Sequence, residues 1–270
     1  MMAHRDGCDT YYEVFGRDND PTLVLINGLG SQCINFHEDW CALFVDAGFR
    51  VVRFDNRDMG LSTKFDGATY TLSDMALDTV AALDAVGAER AHVLGVSLGG
   101  MIAQTVAIDH PQRVASLTSV MSNTGEPDYG QATPEAMAHM TTAAAPGREG
   151  YIEHYVAGLR IWGSPGYADE SWWRTIAERA YDRGHNAAGT MRQFVAVGMS
   201  GPRADGLRAL TTPTLVVHGD QDRLIDPSGG RRTAELVPNA RFELIEGMGH
   251  DYPRELWPTW VKLVADHALA

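Results

Sequence analysis

Residues 95–99 read Gly-Val-Ser-Leu-Gly and place a serine, Ser97, midway between two glycines. A G-x-S-x-G run between a strand and a helix forms a sharp turn that presents the serine hydroxyl. The glycines are needed because the backbone folds tightly there and larger side chains would collide. Residues 91–96 have the apolar pattern of a buried strand, and residues 98–108 that of a helix. This context favours a nucleophilic Ser97 over an incidental glycine-rich turn.

A nucleophilic serine needs a base, and with this type of turn the chain order is serine, acid, histidine. Two histidines, His218 and His250, lie well after residue 200 and before the final predicted helix. His218 ends a strand-like run, where a packed or backbone-bonded imidazole is the simpler interpretation. His250 follows another strand-like run through a glycine-containing loop that can bring its ring to the serine. We predict that His250 is the base, with a solvent-exposed loop histidine as the alternative.

Three aspartates, Asp220, Asp222 and Asp226, follow the strand-like run at residues 215–217. The acid must orient the imidazole and stabilise its charged form. Asp220 is well placed to cap the turn, while Asp226 precedes a proline and suits the start of a helix. Asp222 lies far enough beyond the turn to point back over the sheet edge. We therefore predict Asp222 as the acid.

Residues 27–30, Asn-Gly-Leu-Gly, follow a third strand-like run and could supply part of an oxyanion hole. The expected donors are the backbone N–H of Leu29 and the N–H of Leu98, the residue after the nucleophile. A simple turn would also explain the two glycines, so this motif gains its weight from its position.

Short apolar runs bounded by Gly, Pro, Asn and Asp predict strands buried on both faces, and helical patterns lie between them. Strands and helices that alternate in this way predict a parallel sheet covered by helices on both faces. An antiparallel edge hairpin is expected around residues 9–15. The predicted strands cover 23–26, 51–54, 92–96, 215–217 and 242–245, and the clearest helices cover 72–83 and 98–108.

The alternation stops after Met121, and residues 123–201 contain helix-prone pieces punctuated by prolines. We predict a core domain formed by residues 1–122 and 202–270, with residues 123–201 inserted as a helical cap. Several large apolar side chains of the cap could line a pocket or form the cap's own core, so they receive no role. They are Trp162, Trp172, Trp173, Met191, Phe194 and Met199.

The 270 residues carry a formal net charge of −13, which disfavours nucleic acid and anionic membranes as partners. The three cysteines, Cys8, Cys33 and Cys41, have no zinc-ligand or disulfide-framework spacing, although a Cys33–Cys41 disulfide is conceivable. Free thiols in a reducing compartment are the simpler interpretation. The N-terminus has no apolar leader pattern, which predicts a cytoplasmic protein. The sequence does not distinguish a monomer from a homo-oligomer.

Together, these segments resemble the α/β-hydrolase superfamily over nearly the whole chain. Residues 27–30 resemble its oxyanion loop, 55–62 its D-x-R-G-x-G-x-S segment, and 95–99 its nucleophile turn. Residues 218–222 and 247–250 resemble its acid and histidine loops. Two departures are Asn27, where histidine is commoner, and Asp58, where glycine is usual. The resemblance implies a mostly parallel eight-stranded sheet flanked by helices, with an inserted helical cap.

Within this superfamily the sequence is most similar to actinobacterial esterases, including methyl esterases of polyketides, and to related lactonases. The expected activity is hydrolysis of a small to medium apolar carboxylic ester through an acyl-enzyme, without metal or organic cofactor. A lactonase, a carbon–carbon bond hydrolase or a perhydrolase could use the same residues. A catalytically silent small-molecule receptor on this fold is the alternative of another class. Epoxide and haloalkane hydrolases are disfavoured because they carry aspartate where Ser97 stands.

Overall fold

A computed structural model describes residues 1–269 and shows one eight-stranded sheet. The strands are β1 (Met2–Arg5), β2 (Cys8–Phe15), β3 (Thr22–Ile26), β4 (Arg50–Phe54), β5 (Ala91–Val96), β6 (Val114–Val120), β7 (Thr214–Gly219) and β8 (Arg241–Ile245). Their order across the sheet is β1-β2-β4-β3-β5-β6-β7-β8. β1 and β2 are antiparallel to their neighbours, and every other pair is parallel. The predicted mostly parallel eight-stranded sheet is therefore confirmed.

One central strand, β6, was missing from the strands predicted above. Its sequence, Val-Ala-Ser-Leu-Thr-Ser-Val, carries three polar residues that are nevertheless buried, Ser116, Thr118 and Ser119. Two of them find side-chain partners: Ser116 Oγ lies 2.9 Å from His92 Nδ1, and Gln104 Nε2 donates to Ser119 Oγ at 3.1 Å. A buried strand with satisfied polar side chains lacks the continuous apolar run by which such strands are recognised.

Helices cover both faces of the sheet, as the alternating pattern predicted. They are α1 (Glu38–Asp46), α2 (Leu72–Ala85), α3 (Leu98–Asp109), α4 (Pro134–Thr141), α5 (Gly147–Trp162), α6 (Glu170–Gly184), α7 (Ala187–Ser200), α8 (Ala204–Arg208), α9 (Ser228–Leu236) and α10 (Trp257–Ala268). Val24 and Ile26 of β3 belong to the apolar cluster that includes α2 and α3. Leu23 and Leu25 belong to the cluster that includes α1 and α10. The period-two alternation of β3 therefore supplies two separate cores, one for each face.

Helices α4 to α7 lie within residues 123–201, between β6 and α8, and no strand occurs in that range. We call this segment the insert. Side-chain caps define several of its helix starts: Asp169 accepts from Trp172 N at 3.1 Å before α6, and Asn186 accepts from Gly189 N at 3.1 Å before α7. The division of the chain into a core domain and a cap at residues 123–201 stays a prediction.

Within residues 1–269, no helix is both long and apolar enough to cross a membrane. The three cysteines are free and buried, so the alternative of a Cys33–Cys41 disulfide is not realised.

Candidate active site

Ser97 lies at the sharp turn between β5 and α3. Its backbone has φ 56° and ψ −122°, a strained region for a residue with a side chain. A Cβ on Gly95 would lie 2.0 Å from the Gly99 carbonyl oxygen, and a Cβ on Gly99 would lie 2.0 Å from the Ile26 carbonyl oxygen. Both positions therefore require glycine, which is the physical content of the G-x-S-x-G spacing.

Three side chains that are far apart in sequence meet at this turn. Ser97 Oγ lies 2.9 Å from His250 Nε2, and His250 Nδ1 lies 2.7 Å from Asp222 Oδ2. Since the carboxylate can only accept, the imidazole proton lies on Nδ1, which leaves Nε2 free to accept the serine proton. Asp222 and His250 are both buried. The arrangement has the geometry of a nucleophile, a base and an orienting acid.

Asp222 is kept ionised by its surroundings. Its Oδ1 accepts backbone N–H bonds from Leu224 at 2.9 Å and Ile225 at 2.8 Å. Burial by itself raises the pKa of Asp222, but the imidazoles of His250 and His218 outweigh it and lower that pKa to about 2. A carboxylate that stays charged can stabilise a developing imidazolium on His250.

The neighbouring candidates do not contact the imidazole of His250, and Asp220 differs from its expected role as a cap of its own turn. Asp226 Oδ1 accepts from Ser228 N at 2.9 Å and so serves a local turn, whereas Asp220 Oδ1 accepts from Gly247 N at 2.7 Å and joins its loop to the loop that carries His250. His218 is fully buried, and its Nε2 lies 2.8 Å from the Ile225 carbonyl oxygen and 3.2 Å from Asp222 Oδ2. His218 therefore packs against Asp222 and is held by the Ile225 carbonyl.

The loop after β3 lies directly above the serine. A Cβ on Gly28 would lie 3.3 Å from Ser97 Cβ and 3.7 Å from Ser97 Oγ. Leu98 is the first residue of α3, so its N–H has no partner within the helix. Leu29 N–H makes no hydrogen bond to another described residue. Both predicted oxyanion donors are thus unengaged beside the nucleophile.

The insert holds the backbone around His250. His250 N donates to the Trp162 carbonyl at 2.6 Å, and Gly249 N donates to Ser164 Oγ at 2.8 Å. Ser164 in turn donates to Asp251 Oδ1 through its N–H, at 3.0 Å, and through its hydroxyl. Burial raises the pKa of Asp251, whose Oδ2 is buried without a hydrogen-bond partner. Sequence reasoning missed this network, although an acidic residue beside the proposed base was a visible signal.

A cavity of about 570 Å³ opens above Ser97 between the sheet edge and the insert. Eight aromatic side chains line it: Tyr151, Tyr155, Trp162, Trp172, Trp173, Tyr181, Tyr252 and Trp257. His139, His154 and His185 add imidazoles, and burial lowers the pKa of His154 and of His185. Among the described residues that line the cavity, none is lysine or arginine. The wall therefore suits an uncharged, largely apolar molecule.

The structure separates the cap residues that the sequence left unassigned. Trp162, Trp172, Trp173 and Met191 line the cavity. Phe194 and Met199 instead lie exposed on α7, outside it.

The 55–62 segment is mainly structural in its contacts. Asp55 and Arg57 do not pair with each other: Asp55 Oδ2 lies 2.6 Å from Arg183 Nη1, and Arg57 forms a bidentate pair with Asp78 at 2.6 and 2.8 Å. Within residues 1–269, no group of three or more His, Cys, Asp or Glu side chains could hold a metal ion.

Comparison with known proteins agrees with the fold described above. The profile of the alpha/beta hydrolase fold family matches residues 21–252. The rhodomycin D methylesterase DnrP of Streptomyces peucetius is 29% identical, over 100% of this chain and 98% of the relative. A 2-hydroxy-6-oxononadienedioate/2-hydroxy-6-oxononatrienedioate hydrolase of a Pseudomonas species is 28% identical, over 90% of this chain and 84% of the relative. The crystal structure of an enol-lactonase from Burkholderia xenovorans superposes with a TM-score of 0.81 at 23% identity, with complete coverage of both chains.

Proposed function

Because the chain belongs to the alpha/beta hydrolase fold family, we propose that it is a serine hydrolase that cleaves neutral carboxylic esters through an acyl-enzyme. The observation that carries this proposal is the hydrogen-bonded series Ser97–His250–Asp222 at the base of an aromatic cavity. A buried carboxylate, an imidazole with its free nitrogen on the serine, and unengaged N–H groups beside it are the parts that acyl transfer requires.

In the first half of the proposed reaction, His250 Nε2 takes the Ser97 proton as the serine oxygen attacks the ester carbonyl carbon. The carbonyl oxygen becomes an oxyanion and is stabilised by the N–H groups of Leu29 and Leu98. The intermediate collapses, and the alcohol leaves with the proton returned by His250. Asp222 remains ionised and keeps the imidazole in the productive tautomer.

In the second half, a water molecule attacks the acyl-enzyme and gives its proton to His250 Nε2. A second oxyanion forms in the same hole, and its collapse releases the carboxylic acid and restores the Ser97 hydroxyl. No step draws on a residue outside the three side chains and the two backbone donors.

The cavity wall supports a neutral substrate. A carboxylate transferred into a dry site without a cationic partner costs on the order of several kcal/mol. The dioate in the name of the Pseudomonas relative denotes two carboxylates, and no lysine or arginine in this wall could pair with either. The ester function in the name of the Streptomyces relative needs no such partner. This observation favours ester hydrolysis over carbon–carbon cleavage of a dicarboxylate.

The proposal is tested with matched esters that differ only in charge. We expect turnover of p-nitrophenyl acetate and butyrate, and we expect kcat/KM for dimethyl adipate to exceed that for monomethyl adipate by about tenfold or more. Methyl benzoates and neutral lactones extend the same screen. Equal rates on the two adipates would contradict the charge argument. Absence of turnover on every ester and lactone would leave the alternative of a silent receptor.

A further inference from the structure

Helix α7 of the insert contacts the loop that is proposed to hold the oxyanion. Gly30 N donates to Gln193 Oε1 at 3.0 Å, and Gln193 Nε2 donates to the Arg57 carbonyl at 2.9 Å. Gln193 is completely buried. Because both ends of the amide are engaged, the side chain is fixed in orientation and spans the Gly30 and Arg57 backbones.

The loop is also confined sterically at this point. Gly30 has φ +68°, and a Cβ there would lie 3.0 Å from both Oγ1 and Cγ2 of Thr190. The glycine is therefore required both for its left-handed backbone and for the close approach of α7. The peptide that follows Leu29 is held by a hydrogen bond on one side and by packing on the other.

Helix α7 is itself anchored to the core through Asp58. Arg192 donates from Nε to Asp58 Oδ2 at 2.9 Å and from Nη2 to Asp58 Oδ1 at 2.7 Å, a bidentate pair next to Gln193 in sequence. Asn186 Nδ2 also donates to the Asp58 carbonyl at 3.0 Å. The Asp58 carboxylate is fully buried; burial by itself raises its pKa, but the Arg192 guanidinium together with hydrogen bonds from the Phe65 N–H and the Tyr70 hydroxyl lowers that pKa below its usual value.

Asp58 stands at a backbone position that normally favours glycine. Its φ is 71°, a left-handed conformation that is unfavourable for most residues with a side chain. Glycine would avoid that cost but could not bind Arg192. The departure from the glycine usual in this segment therefore supplies the anchor of α7.

We propose that Gln193, held by the Asp58–Arg192 pair, is a positioning residue through which the insert orients the oxyanion loop for catalysis. This inference rests on the proposed function. Gln193 itself does not contact the reacting atoms. Gln193 fixes the peptide next to the Leu29 N–H, so its loss lets that donor turn away from the oxyanion. Preorganised donors are effective because they need no reorientation as charge develops.

The test compares an oxygen ester with its sulfur analogue. Sulfur accepts N–H bonds poorly, so p-nitrophenyl thionobutyrate draws less on the oxyanion hole than p-nitrophenyl butyrate. We expect Gln193→Leu to lower kcat for the oxygen ester roughly tenfold, a fraction of the effect of deleting a whole donor, with KM changed less than about twofold. In the same variant, kcat for the thionoester should fall much less, so the ratio of the oxygen-ester rate to the thionoester rate falls.

Val195→Ala is the matched control, since Val195 is an exposed residue of the same helix two positions away. It should retain the wild-type ratio. Gln193→Glu provides a second variant in case the leucine variant does not fold: it keeps an acceptor for Gly30 N–H but loses the amide donor to Arg57. Its ratio should lie between those of the wild type and Gln193→Leu.

Two outcomes separate this inference from the proposed function. If the wild type turns over the oxygen ester but the rates of both Gln193 variants fall by the same factor on the two substrates, the residue is merely structural and the inference is wrong. If the wild type turns over neither ester, the proposed function fails and the inference falls with it. A selective fall in the oxygen-to-sulfur ratio supports both.

Discussion

The sheet edge and the insert meet at the same cavity but contribute different kinds of contact. The sheet edge supplies all three proposed reacting side chains, and Asp222 is fixed by N–H groups only two and three residues further along the chain. The insert supplies most of the cavity wall and hydrogen bonds to backbone near those side chains, through Ser164 and Gln193. We therefore propose that the sheet edge carries the chemistry, whereas the contacts of the insert determine orientation and selectivity.

The largest effect should follow from a change on the sheet-edge side. In Asp222→Asn, the amide donates to His250 Nδ1 and moves the imidazole proton to Nε2, which can then no longer accept from Ser97. We expect kcat to fall by roughly 10³ to 10⁴ while the fold persists. Steady-state kinetics measure kcat, and circular dichroism shows whether the fold persists.

Asp220→Asn is the control for that change. Asp220 lies on the same loop but accepts from Gly247 N, and asparagine keeps an acceptor oxygen there. Its kcat should stay within a few-fold of the wild type. A comparable loss in both variants would mean that the loop as a whole, rather than the acid at Asp222, sustains activity.

A change on the insert side should alter selectivity more than chemistry. Trp162→Ala removes an indole from the cavity wall but keeps the carbonyl that binds His250 N. We expect kcat/KM for a long-chain or aromatic ester to fall about tenfold, equivalent to about 1.4 kcal/mol of lost apolar contact, with little change for the acetate.

Phe194→Ala serves as the control on that side, because Phe194 lies exposed on α7 outside the cavity. Its preference between long and short esters should match the wild type. If Trp162→Ala lowered the rates for acetate and for large esters equally, the indole would contribute to the chemistry itself. The proposed division between the sheet edge and the insert would then be wrong.

The smallest effect concerns stability at the junction of the two sides. Burial raises the pKa of Asp251 above its unfolded value, so the folded state binds this proton more tightly than the unfolded state. The ionised carboxylate therefore costs stability above the folded pKa, and this cost disappears as the pH falls through it. Asp251→Asn keeps the acceptor for Ser164 and removes the charge.

The variant should thus melt at least as high as the wild type near neutral pH. The melting temperature of the wild type should rise relative to that of the variant as the pH falls from neutrality through the acidic range. Thermal melts at a series of pH values measure this difference. A variant that melts lower than the wild type at neutral pH, by a margin that shrinks as the pH falls, would show instead that the ionised carboxylate stabilises the junction, and would contradict this prediction.

The residues that meet at the sheet edge could be picked out from the sequence because each of them has a short local signature. The glycines flanking Ser97 indicate that the backbone is crowded there. The spacing of Asp222 and His250 from the ends of their strands indicates that both lie on loops at the sheet edge. β6 escaped prediction because its buried polar residues find partners only in the folded sheet.

The contacts of the insert could not be predicted in the same way. Asp251 binds a residue 87 positions away, and Gly30 binds one 163 positions away. Local propensity carries no information about such pairs. The same holds for the direction of the cap aromatics, which places Trp162 in the cavity wall and Phe194 on the surface.

The proposed function depends above all on Ser97 as the nucleophile. The most direct measurement is peptide mass spectrometry of the protein after treatment with a p-nitrophenyl phosphonate, with p-nitrophenyl butyrate turnover followed on the same sample. We predict a single phosphonyl adduct on the peptide that contains Ser97, formed in step with the loss of turnover and absent from Ser97→Ala. Turnover that persists in Ser97→Ala, or inactivation with the adduct on another residue, would contradict it.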